Sequence, residues 1–224
     1  MRLSHLPAAE RPREKLLERG CPALTDSELL SILLGTGGAG RNVMELSRAL
    51  LERFDGWHGL INAELAELST EPGMGVAKFA QLQAAVELAR RLALEELRQG
   101  AVLSSPGQTR RFLQSHLRDP SREVFSCLFL NAQHALISCE DLFFGTLDGA
   151  AVYPRVVLRR ALQLEAAAVI FAHNHPSGIA EPSAADRRIT ERLQAALALV
   201  DIRVLDHIIV GRGCAFSFAE DGLL

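Results

Sequence analysis

The run Ala167-Ala168-Val169-Ile170-Phe171-Ala172 constrains this chain more than any other segment. It is continuously apolar and too short for a helix of ordinary length, so it reads as a strand buried on both faces. A strand of that kind needs helices on each side of its sheet, which points to an α/β or α+β layer domain. The run leads directly into His173-Asn174-His175-Pro176-Ser177-Gly178. Residues two apart on an extended chain project to the same side, so both imidazoles face one point. Pro176 and Gly178 then turn the chain, Ser183 suits a helix N-cap, and Asp186 falls in the first turn of the following helix. Two imidazoles and a carboxylate form a good zinc set, and three protein ligands leave a fourth position for water. Zinc lowers the pKa of such a water toward about 7. One Zn2+ held by His173, His175 and Asp186 is therefore expected. The plain alternative is a solvated loop with two histidines. Against it stand the buried strand, the Pro/Gly-shaped loop and the arrival of the aspartate on a helix start.

The chain has two grammars. Residues 1–100 read as an all-helical domain. Thr25-Asp26-Ser27-Glu28 offers cap residues ahead of Leu29, Leu30, Ile32, Leu33 and Leu34. Val43, Leu46, Leu50 and Phe54 share one helical face over 43–54, a short piece follows at 62–68, and a long helix runs from Val76 to Arg98. Gly100–Gly107 is the natural linker, and residues 101–224 form the second domain. There a capped helix is expected over Ser105–Leu117. Strands are expected over Val124–Asn131 and Leu136–Phe144, joined by a turn at Ala132–His134. A helix opening at Pro154, a second over 184–199, and closing strands at Arg203–Val210 and Ala215–Phe218 complete a mixed sheet with flanking helices.

Composition narrows the function. Residues 1–100 carry 12 basic against 14 acidic residues, and residues 101–224 carry 12 against 13. Neither half has the positive balance that strong non-specific nucleic-acid binding needs. Cys21, Cys127, Cys139 and Cys214 are scattered without a C-x-x-C pair, which disfavours a cysteine-based zinc knuckle and fits reduced thiols. No apolar run reaches the roughly 18–20 residues of a membrane span, and the first twenty residues lack a signal-peptide core, so a cytoplasmic location is expected.

The pattern H-x-H-P-x-G-x4-S-x2-D, from His173 to Asp186, resembles the JAMM (JAB/MPN) metalloprotease motif, with every position filled. The whole chain resembles the bacterial RadC family. Further matching pieces are Gly145-Thr146-Leu147, Val152-Tyr153-Pro154-Arg155, Leu205-Asp206-His207-Ile208-Ile209-Val210-Gly211, and the helical half from Arg11 to Arg91. The resemblance implies a JAB/MPN-like fold preceded by a small helix-hairpin-helix-like domain. It also implies a general base at Glu123, which holds the attacking water and passes its proton to the leaving amine. Without the resemblance Glu123 reads as an exposed strand-end glutamate. Ser183 matches the serine that supports the oxyanion, besides serving as a cap. Asn174 fills a slot that is Ser or Thr in many eukaryotic relatives and Asn in RadC-like chains. Arg155-Val156 departs from the common Arg-Glu, which touches only a helix-start carboxylate. His207 reads as a core histidine or one packed behind the ligands, and His134 as a turn residue. His5, His58 and His116 carry no pattern.

In the helical half, Pro72-Gly73-Met74-Gly75-Val76-Ala77-Lys78 looks like a helix-hairpin-helix loop. Gly73 and Gly75 would let the backbone approach a DNA phosphate, and Lys78 would add a charge. The alternative is a bare turn that needs glycine for positive φ. The expected function is zinc-dependent hydrolysis of peptide or isopeptide bonds in an unidentified peptide or protein substrate. The competing reading is a DNA-repair or recombination accessory, weakly bound to DNA through its N-terminal domain, whose metal domain is no essential catalyst. Zinc-driven phosphodiester hydrolysis is a third, weakened by the absence of a second metal cluster in the sequence. No membrane partner is expected.

Overall fold

A computed structural model describes residues 7, 10–38, 40–99, 106–118, 121–145 and 152–224. Residues 100–105 of the expected Gly100–Gly107 linker, the start of the Ser105 helix, and Thr146-Leu147 lie outside the described residues, and Pro106 and Gly107 open a helix instead of ending the linker. The helices are α1 (Pro12–Arg19), α2 (Asp26–Leu34), α3 (Val43–Arg53), α4 (Trp57–Asn62), α5 (Leu65–Leu68), α6 (Val76–Gln99), α7 (Pro106–His116), α8 (Pro154–Gln163) and α9 (Ala184–Ala198). The strands are β1 (Val124–Leu130), β2 (Leu136–Phe144), β3 (Ala168–Asn174), β4 (Arg203–Val210) and β5 (Ala215–Ser217). Two compact units result, Met1–Ala89 and Arg90–Leu224. The division falls inside α6, upstream of residue 100 where the sequence reading ends the first domain. The physical reason is apolar: Ala93, Leu94 and Leu97, late in α6, belong to the core of the second unit.

In the first unit, Thr25 and Glu28 form a capping box at the start of α2, and Asn42 and Glu45 form another at α3. Both satisfy orphan N–H groups and fix where these helices begin. Leu30, Leu34, Leu46, Leu50, Leu60, Leu68 and Leu82 fill the core between them. α1 and α4 are short helices that the periodicity did not single out.

In the second unit, alternation divides the sheet into two covered faces. The strand order is β2-β1-β3-β4-β5. β1 runs antiparallel to both β2 and β3, and β3 runs parallel to β4 with α9 as the crossover. Ala168, Ile170 and Ala172 face Leu97, Phe112 and Leu113 of α6 and α7. Val169 and Phe171 face Val157 and Ala161 of α8 and Leu193 and Leu197 of α9. Burying each large apolar side chain contributes about 1.5–3 kcal/mol, so a strand buried at every position is strongly held in register. The next residue of the Val169–Phe171 parity is His173, so the same alternation that packs the core delivers this imidazole to the face that α9 covers. Among the described residues, no helix is long and apolar enough to cross a membrane.

Candidate metal centre

His173 and Asn174 end β3, and His175 continues the line by donating its N–H to the Val210 carbonyl at 3.0 Å. The chain then reverses through a turn closed by Gly178, whose φ is +81°. That turn packs on Gly211, where a Cβ would come within 2.5 Å of the Gly178 carbonyl oxygen. Any side chain at 211 would push the histidine loop off the sheet. Ser183 caps α9, accepting from the Asp186 N–H at 3.2 Å, while an Asp186 carboxylate oxygen accepts from the Ser183 N–H at 2.7 Å. This reciprocal capping box fixes the Asp186 side chain at the helix start.

The three groups converge. His173 Nε2 lies 3.0 Å from His175 Nε2 and 3.2 Å from Asp186 Oδ1, and His175 Nε2 lies 3.5 Å from Asp186 Oδ2. Among the described residues these three form the one cluster of imidazole, thiol or carboxylate groups with metal-ligand spacing. Hydrogen-bond polarity says what they can hold. His175 Nδ1 is 2.8 Å from the Ile179 carbonyl, which only accepts, so Nδ1 carries the proton and Nε2 presents a lone pair. His173 Nδ1 meets His207 Nε2 at 2.9 Å. With both rings neutral and protonated at Nδ1, two lone pairs and a carboxylate face one another within a few ångströms. A metal cation satisfies acceptors so arranged, and a proton on a ring Nε2, donated to Asp186, does so when no ion is held.

The proton affinities describe the same cluster with a proton in place of an ion. Burial works to raise the Asp186 carboxyl, but hydrogen bonds to His173, His175 and Ser183 outweigh it and hold the group far below the usual carboxylate range. His175 is pushed up, chiefly by Asp186, against the opposing effect of burial; the Ile179 carbonyl and the charge of Glu123 add to the rise. His207 is fully buried, and burial drives it well below the ordinary histidine value, so its ring is neutral.

Glu123 sits one residue before β1. The antiparallel register pairs Phe125 with His173, and Glu123, two residues before Phe125, lies near enough for its charge to act on His175. Its backbone is pinned. Asn174 Oδ1 accepts from the Val124 N–H at 2.7 Å, Asn174 Nδ2 donates to the Arg122 carbonyl at 2.9 Å, and the Gly145 N–H donates to the Glu123 carbonyl at 2.8 Å. Asn174 thus straps the peptides on both sides of Glu123. A buried asparagine at a strand end is a legible signal, because asparagine is poor in strands and a buried amide must find partners. The exposed Ser183 hydroxyl accepts from its cap partner and keeps its own proton to donate.

Elsewhere, His134 is a turn residue with φ +60°. His116 pairs with Asp141 at 2.8 Å, a contact that no sequence pattern announced. His58 lies near Asn62, and His5 is outside the described residues. Pro72–Gly75 is a tight loop between α5 and α6. Lys78 Nζ donates to the Gly73 carbonyl at 2.7 Å and to the Gly37 carbonyl at 3.0 Å. Gly73, at φ +100°, lies against Gly38, while the space around Gly75 is open. Cys21, Cys127, Cys139 and Cys214 form no disulfide.

A profile for the RadC-like JAB domain matches residues 103–223, and one for the UPF0758 N-terminal region matches residues 3–80. A UPF0758 protein of Thioalkalivibrio sulfidiphilus is 57% identical over 224 residues, covering 100% of both chains. One from Nitrosococcus oceani is 56% identical over the same span. One from Azotobacter vinelandii is 57% identical over 218 residues, 97% of each chain.

Proposed function

The chain belongs to the UPF0758 (RadC) family, whose second half is a RadC-like JAB domain, and from that premise we propose that it is a zinc-dependent hydrolase of peptide or isopeptide bonds. The observation that carries the reading is the convergence of His173 Nε2, His175 Nε2 and Asp186, spaced 3.0–3.5 Å apart with their lone pairs turned inward. A tetrahedral ion with ligands at about 2.0–2.2 Å would need donors roughly 3.3–3.6 Å apart; the His175–Asp186 separation meets this, and the two imidazole nitrogens at 3.0 Å would have to part by a few tenths of an ångström. Imidazole and carboxylate suit zinc, and the absence of thiolate from the set argues against a soft-metal centre. When bound, zinc supplies Lewis-acid chemistry, polarising a carbonyl and acidifying water.

The chain's own residues divide the remaining work. Asp186 and the two imidazoles hold the ion, and their fixed orientations avoid reorganisation during reaction. Glu123, whose charge acts on His175, takes a proton from the attacking water and returns it to the leaving nitrogen. The Ser183 hydroxyl donates to the oxygen that gains charge. Metal analysis of the purified full chain should find about one zinc per chain. A peptide-library digest should show cleavage by wild type and a loss of about 10²–10⁴-fold in Glu123→Gln at unchanged zinc content. Equal cleavage by both proteins would remove Glu123 as the base. No cleavage by zinc-loaded wild type across peptide and isopeptide libraries would remove the hydrolase reading.

A further inference from the structure

Behind the metal-facing residues lies a buried chain of hydrogen bonds whose direction can be worked out atom by atom. Thr190 stands one turn after Asp186 on α9, so both side chains point at the sheet. Thr190 Oγ1 is 2.6 Å from the Asp186 carbonyl oxygen. A carbonyl only accepts, so the threonine hydroxyl spends its single proton there. Thr190 Oγ1 is also 2.6 Å from His207 Nδ1, and with no proton left it must accept from that nitrogen. His207 therefore carries its proton on Nδ1 and presents a lone pair at Nε2. That lone pair lies 2.9 Å from His173 Nδ1, which must donate to it. His173 is left with its lone pair at Nε2, the atom that faces His175 and Asp186. The order cannot reverse without setting the Thr190 oxygen and the Asp186 carbonyl oxygen lone pair to lone pair at 2.6 Å.

We propose that His207 and Thr190 set the tautomer of His173, so that a carbonyl of α9 dictates which imidazole nitrogen is offered to a metal. This rests on the reading of His173, His175 and Asp186 as a metal site and adds two positioning residues to it. Neither touches the ion. Aromatic neighbours clamp the His207 ring, which stacks on Phe218 at 4.9 Å between centroids and meets Phe125 and Phe171 edge-on at 5.6 and 6.0 Å. A ring so gripped keeps its hydrogen-bond vectors. His175 needs no such relay, because the Ile179 carbonyl accepts from its Nδ1 directly. His173 sits deeper, and at its Nδ1 a neutral imidazole with one acceptor nitrogen serves instead. A carboxylate in that place would bury a further charge.

Long-range 1H–15N correlation on the histidine rings of the metal-free full chain reads the tautomers directly. The expected spectrum has the His207 proton on Nδ1; a His207 proton on Nε2 overturns the proposal. Zinc affinity, by competition with a chromophoric chelator, reads the consequence: Thr190→Val should bind zinc about 10–100-fold more weakly than wild type, with Thr190→Ser within about threefold of it. Thr190→Val keeps the shape of the side chain, and a cooperative thermal transition, lowered only by the lost hydrogen bond, shows that the fold survives. His207→Gln, which can accept and donate in the same sense, should retain more affinity than His207→Leu. Thr190→Val binding zinc as tightly as wild type sinks the proposal while the metal site stands. Wild type that binds no zinc sinks the metal reading itself, and the tautomer spectrum still decides the order of the chain.

Discussion

The histidine segment after β3 and the glycine loop before α6 are the two places where the chain looks built for a ligand, and their donors and acceptors balance in opposite ways. After β3, Ile179 and His207 take the Nδ1 protons of His175 and His173, and two Nε2 lone pairs remain beside the Asp186 carboxylate with no donor of the protein's own. Before α6, Lys78 gives two of its three N–H bonds to the Gly73 and Gly37 carbonyls. Burial lowers the proton affinity of that ammonium as well. Gly73 there serves contact between loops: a Cβ on Gly38 would come within 2.4 Å of the Gly73 Cα. Spacing in the sequence marks where reactive groups gather. Unmatched valence in the folded chain marks where they are left for something else.

The largest expected effect breaks the first half of this comparison. His173→Ala should weaken zinc binding by more than about 100-fold, beyond the range seen for partners behind the ligands, with zinc per chain falling toward none. Retention of full zinc content would mean the ion sits elsewhere. Asn174→Ala comes next. It unpairs the part-buried Arg122 carbonyl and the buried Val124 N–H beside Glu123, and the buried group alone costs about 1–3 kcal/mol. Urea unfolding should register the loss, and peptide cleavage should fall while zinc content holds. A variant with normal cleavage would show that Glu123 needs no strap.

Lys78→Met tests the second half. Removing two hydrogen bonds from a charged donor should lower stability by about 1–2 kcal/mol, read as a shift in the urea midpoint. Unchanged stability with weakened binding to duplex DNA would reverse the comparison and make the loop a phosphate site. The smallest effect separates acid release of metal from acid unfolding. Burial raises the Asp141 carboxyl, but hydrogen bonds from His116 and Ser126 outweigh it and hold it below the usual aspartate value of about 3.9. A depressed carboxylate stabilises the fold above its unfolded pKa, and that contribution is lost as pH falls through the folded one. The urea midpoint should therefore drop below about pH 4 by an increment that Asp141→Asn abolishes. Zinc loss at higher pH would belong to the ligands instead.

Much of the second unit was legible because its signals are local. The apolar run at 167–172 and the strands at Val124, Leu136 and Arg203 have the periodicity of covered sheet, and the structure places β1 to β4 within a residue or two of those bounds. Ser183 and Asp186 form the capping box that their spacing favours. The less legible parts depend on partners distant in the chain. Asn174 reaches residues about fifty positions earlier, and His116 reaches Asp141 across α7 and β2. The division within α6 follows from which core Leu97 joins, and periodicity along one helix cannot report that.

By itself the sequence determined the ligand chemistry: two imidazoles two residues apart on a strand must share a side, and an aspartate three residues after a serine cap must sit in a first helical turn. Only the tertiary structure decided what those groups could bind. Parallel pairing of β3 with β4 brought His207 behind His173, and α9 packing on the same face brought Thr190 to His207. Hydrogen-bond direction, and with it the nitrogen left bare, depends on which acceptor lies within about 3 Å of each ring. That distance is set by how the layers pack and is written in no single segment of the chain.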